Sequence, residues 1–133
     1  MARLEAAVYS ILSNNTDVTG LVSTRIYPEL LPQDCALPAV TYARISTMRH
    51  SAMEADPNFA ETRMQISSWS SSFSVVQNLS DKVRLAFWRF TGSTASVTIE
   101  DVWPENETQL YDSVTETHQM AIDFMITHRE STS

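Results

Sequence analysis

At 133 residues the chain has the length for one domain with one core and too little for two ordinary ones. Its formal charge of −7 makes the surface as a whole repel nucleic acid and anionic lipid, and two glycines, Gly20 and Gly92, are too few for the glycine-rich loops that cradle phosphates. One cysteine, Cys35, excludes a disulfide framework. No apolar run has the length of a membrane span and the N-terminus lacks a secretory pattern, so the expected location is the cytoplasm until assembly.

Leu4, Ala7, Val8, Ile11 and Leu12 recur at three- and four-residue spacing, which predicts an amphipathic helix over about residues 2–13. Asn14 and Asn15 suit its end, and Thr16-Asp17 can cap a further short turn before Gly20. Pro28, Pro32 and Pro38 then divide an extended segment. Arg25 to Tyr27 is expected as a short edge strand, because proline lacks the N–H that a central ladder needs, and Pro38 is expected to precede a long strand. In that strand, about 39–48, Val40, Tyr42 and Ile45 do not keep to one face, as in a strand covered on both sides. Residues 49–61 carry mixed charge, a proline and no steady period, and read as a mobile loop.

Residues 62–69 alternate and predict a second long strand. Three serines that can cap a helix follow, and Phe73, Val76, Leu79, Val83, Phe87 and Phe90 then mark a long helix that Gly92 is expected to stop. Val97 and Ile99 share a face of a strand to about 102. Residues 103–107, with Pro104, are expected to turn, and Leu110-Tyr111 to form a brief strand. Met120, Ile122, Phe124 and Ile126 alternate against Gln119, Asp123 and Thr127, the cleanest strand pattern in the chain. The order predicts one α+β domain over 1–133, a mostly antiparallel sheet with two helices packed on one face. Met120, Ile122, Phe124, Val76, Val83 and Phe87 are its expected sheet–helix core.

Chemistry is scarce in this sequence. His50, His118 and His128 lie far apart, and no paired nucleophile and base and no metal-ligand spacing occurs, so neither catalysis nor a cofactor is expected. The carboxylates Glu100, Asp101, Glu105, Glu107, Asp112 and Glu116 lack the pattern of a calcium loop and read as a solvated acidic stretch. Leu85 and Trp88 stand apart, since at about 100° per residue they project roughly 160° and 100° away from Phe87. A tryptophan and a leucine off the core stripe have the composition of a subunit contact. Met53 and Phe59 are apolar anchors in the polar 49–61 segment, suited to docking on a partner. The edge strand at Arg25 and Tyr27, together with the last strand, offers further contact surface.

Arg25-Ile26-Tyr27-Pro28 and Leu37-Pro38-Ala39-Val40-Thr41-Tyr42, set between an amphipathic first helix and a strand followed directly by a long helix, resemble the tail terminator or tail completion family of long-tailed phages and prophages. The resemblance covers nearly the whole chain and its motifs are structural. It implies a non-enzymatic virion subunit that forms a homo-hexameric ring on the head-proximal end of the tail tube. Such a ring stops polymerisation of the tail tube protein and presents a surface to the head–tail connector, with DNA passing only transiently through the lumen and no membrane involved. A head completion or neck protein of the same virion is the alternative. Where relatives often carry a Gly-Asp turn before the Arg-Ile-Tyr-Pro motif, this chain has Ser23-Thr24.

Overall fold

In a computed structural model, which describes residues 3–49 and 59–130, the first apolar stripe forms helix α1 (Leu4–Asn14) and buries Leu4, Ala7, Val8, Ile11 and Leu12. Asn15 ends it and starts the next helix. Its side-chain carbonyl accepts from the N–H groups of Asp17 and Val18 at 3.0 and 3.1 Å, capping α2 (Thr16–Val22). Ser23 follows with φ 56°, a left-handed conformation that glycine adopts at no steric cost.

Six strands make the sheet, in the order β1-β2-β3-β6-β5-β4: β1 (Ile26–Pro28), β2 (Ala39–Arg49), β3 (Phe59–Ser70), β4 (Gly92–Thr94), β5 (Val97–Asp112) and β6 (Thr117–Arg129). The helix α3 (Phe73–Phe87) connects β3 to β4 and packs across β3 and β6. Curled into a half-barrel, the sheet carries α1 and α3 over its apolar face. Met64 and Ile66 of β3, Ile99 and Val102 of β5, and Ile122, Phe124 and Ile126 of β6 join the α1 stripe and Leu79, Val83 and Phe87 of α3 in one buried cluster. The Phe87 and Phe124 rings lie 5.2 Å apart, centroid to centroid, where α3 crosses β6.

This architecture corrects the expected mostly antiparallel sheet under two helices. The sheet is mixed, because β1 pairs with β2 in parallel, Ile26 beside Val40 and Pro28 beside Tyr42. Parallel neighbours need a crossover rather than a hairpin, and the proline-divided residues 29–38 supply it. A third helix, α2, exists because Asn15 caps it. Val76, Val83, Phe87, Ile122 and Phe124 are buried as expected, whereas Met120 is only half-buried.

Three expected boundaries also move. Strands β2 and β3 extend into the expected loop, with Arg49 paired to Ala60, so of residues 49–61 only 50–58 lie outside the described residues. α3 ends at Phe87, before Gly92, and Arg89 takes the left-handed position at φ 51°. The expected turn at 103–107 is strand: β5 runs for 16 residues and stays paired to β6 from Thr98 to Asp112. Pro104 is accommodated because it sits at a register shift, on a stretch whose outer side has no strand neighbour among the described residues, so no ladder bond is lost. The last strand, β6, lies between β3 and β5 and offers no free edge.

Candidate assembly surface

The outer face of α3 is built by its cap and its stripe. The Ser72 hydroxyl accepts from the Val75 N–H, and the buried row Val76, Leu79, Val83 and Phe87 then fixes which side of the helix meets the sheet. That rotation leaves Leu85 58% and Trp88 54% exposed. Both are large apolar side chains in water near the end of one helix, where burial against a partner gains roughly 1.5–3 kcal/mol for a residue of leucine size.

The other residues singled out in the sequence sit elsewhere. Arg25 acts as an internal strap: its Nε donates to the Pro38 carbonyl at 2.8 Å and its guanidinium to the Leu21 carbonyl at 3.3 Å, tying the end of α2 to the start of β2. Tyr27, half-buried on β1, lies beside Thr41. Phe59 opens β3 with the Arg129 guanidinium 4.9 Å from its ring centre, a cation–π contact within the chain. Met53 lies outside the described residues. The structure thus leaves Leu85 on α3 and Trp88 at its C-terminal cap exposed, places Arg25 and Tyr27 at the β1 edge, and sets Phe59 on β3.

Sequence reading missed two apolar groups. Phe73 at the start of α3, His118 on β6 and Tyr111 on β5 stack in a row, with ring centroids 5.6 Å and 4.6 Å apart, and Phe73 and Tyr111 are both exposed. Leu110 and Val114 are exposed beside them at the β5–β6 end. On β2, Ile45, at the bulge between Arg44 and Ser46, and Met48 beyond it are exposed.

A polar cluster organises the opposite region. Glu130, only 5% exposed, accepts from the Leu4 N–H at 2.8 Å, from Arg44 Nη2 at 2.8 Å and from Arg49 at 3.1 Å, while Glu5 accepts from the same Arg44 Nη2 at 2.8 Å and from Arg44 Nε at 3.1 Å. Burial pushes the Glu130 carboxyl up, but the Leu4 N–H and the two guanidiniums outweigh it and hold the carboxyl at about 2. Next to it on β6, His128 is fully buried and shares a 2.7 Å hydrogen bond with Thr62; burial drives its imidazole down to about 4, so it is neutral at pH 7. This cluster joins α1, β2 and β6. Through the Leu4–Glu130 bond it ties the two ends of the described fold together.

Among the described residues no group of three His, Cys, Asp or Glu is placed to hold a metal ion. None of the described helices is long and apolar enough to cross a membrane.

The fold and the sequence both have known counterparts. A chain from the virion of a native gene transfer agent (GTA) particle superposes with a TM-score of 0.80 over 96% of this chain and 95% of that chain, at 16% identity, and so shares the fold. No curated protein matches in sequence. The model of the family described as tail completion protein gp17 matches residues 6–129, which spans every strand and helix described except the first residues of α1. By that match the chain belongs to the tail completion protein gp17 family, whose members are structural proteins of phage virions.

Proposed function

We propose that this chain is the ring-forming subunit that closes the head-proximal end of the tail tube, stops its polymerisation and offers the connector of the filled head a surface to join. Six copies make the homo-hexameric ring, and DNA passes through its lumen without a binding site of its own. Family membership supports a tail-associated structural role. The observation that carries the assembly reading is the pair Leu85 and Trp88, left exposed off the buried row Val76, Leu79, Val83 and Phe87. A structural subunit needs such surface; an enzyme of this size would need converging polar groups in a pocket.

Acidic substitutions test this directly. Leu85→Glu and Trp88→Glu are expected to leave the unfolding free energy of the isolated subunit, read from urea curves, within about 0.5 kcal/mol of the parent, as surface changes do. Each is expected to reduce the yield of complete particles at least tenfold, through charge placed in a desolvated contact. Normal particle yields from both variants would remove α3 from the assembly surface.

A further inference from the structure

We infer that neighbouring copies of this chain join by strand pairing, the outer edge of β5 on one copy adding to the outer edge of β2 on the next. The inference rests on the ring reading and names the contact that makes the ring. Strand β4 covers β5 only from Val97 to Ile99, and the Arg89 N–H caps the Val102 carbonyl at 3.1 Å. Beyond that point, residues 103–112 of β5 have no strand on their outer side among the described residues. At the opposite margin, β1 covers β2 only from Val40 to Tyr42, and residues 43–49 are likewise without an outer strand among the described residues. Each open edge presents a row of backbone donors and acceptors.

The charged side chains along the two edges are largely paired within the chain, Arg44 and Arg49 with Glu5 and Glu130, and Glu105 and Glu107 with Arg63 and Arg84, so charge does not choose the partner edge. Each edge exposes two apolar side chains, Leu110 and Tyr111 on β5 and Ile45 and Met48 on β2. A contact between two like edges is two-fold and closes on itself as a dimer, so the ring requires β5 against β2. Two different edges at the two ends of one sheet give a head-to-tail contact, the kind that closes into a ring. By contrast, the outer side of β1 is three residues long and ends at Pro28, which makes it a poor template.

The experiment uses the full chain with Cys35→Ser to remove the native thiol, and adds Ser46→Cys on β2, Thr108→Cys on β5, or both. Purified tails carrying each variant are treated with a short bismaleimide and run on denaturing gels, and the ring is imaged in the same samples. The pair of cysteines should give a ladder of covalent oligomers ending at the ring's copy number. Either single variant should stay monomeric, and tails assembled from a mixture of the two single variants should give oligomers no larger than dimers when the variants alternate. Dimers from Thr108→Cys alone would overturn the head-to-tail arrangement. Intact rings with no ladder from the double variant or from a second pair, Met48→Cys with Gln109→Cys, would overturn strand pairing and leave the ring reading standing. Tails that contain the chain but no ring would overturn both.

Discussion

Replacing Phe87 or Phe124 with alanine is expected to destabilise the isolated subunit by about 3–5 kcal/mol. Both rings are fully buried, and they meet at 5.2 Å where α3 crosses β6, so truncating either leaves a void that α3 and the sheet close only by moving apart. A domain of this size holds roughly 5–15 kcal/mol in all, so each variant should lose a large part of its folded population at 37 °C. Urea unfolding measures the effect as a lower midpoint at constant slope. Phe73→Ala, at an exposed ring, should cost much less. An unchanged midpoint for Phe87→Ala and Phe124→Ala would mean that α3 does not lie on β6 as described.

Glu130→Gln is the second large effect. The change leaves Arg44, which is mostly buried, with only Glu5 to balance it, and removes the charge that faces Arg49 and the Leu4 N–H. Breaking a buried pair from one side costs about 3–5 kcal/mol, because the remaining charge stays desolvated. The same cluster predicts acid sensitivity. The Glu130 carboxyl sits at about 2 against an ordinary 4.5, so its contribution is present above pH 4.5 and disappears as pH falls from there towards 2. His128 sits at about 4 against an ordinary 6.5, so the unfolded chain takes up the proton first and stability already declines as pH falls from 6.5 to 4. Each limb amounts to about 3 kcal/mol at most. Urea midpoints measured from pH 8 to pH 3 should therefore fall from about 6.5 downward. His128→Gln should remove the upper limb and Glu130→Gln the lower one. A parent midpoint that is flat between pH 6.5 and 4.5 would mean that His128 is not held neutral by the fold.

What could be read in advance was what repeats locally. The stripes of α1 and α3 and the alternation of β6 are periodic signals, and each marked an element that formed, although α3 stops at Phe87, short of Phe90, and leaves Phe73 exposed. Leu85 and Trp88 were visible as exceptions to the α3 stripe because a helical wheel needs only local geometry. The family resemblance carried by Arg25-Ile26-Tyr27-Pro28 and Leu37-Pro38-Ala39-Val40-Thr41-Tyr42 agrees with the family match over residues 6–129.

The misses share a cause: each depended on a partner distant in sequence. Pro104 reads as a turn until the strand's outer side is known to be unpaired. The parallel entry of β1 depends on where residues 29–38 return the chain. Arg44 and Glu130 are separated by 86 residues and Leu4 and Glu130 by 126, so no window along the chain shows that they form one cluster. The edges of β2 and β5 left open among the described residues are properties of strand order, which composition does not encode. Exposed apolar residues on those edges, Ile45, Met48, Leu110 and Tyr111, were consequently read as ordinary strand positions.

Cryo-electron microscopy of intact particles, with this chain fitted into the tail density, tests the central claim most directly. The account predicts six copies in one ring on the last layer of tail tube protein, at the end that meets the head connector, with adjacent sheets joined side by side. Finding the chain at the distal tip, along the tube, or in a number other than one ring of six would contradict it.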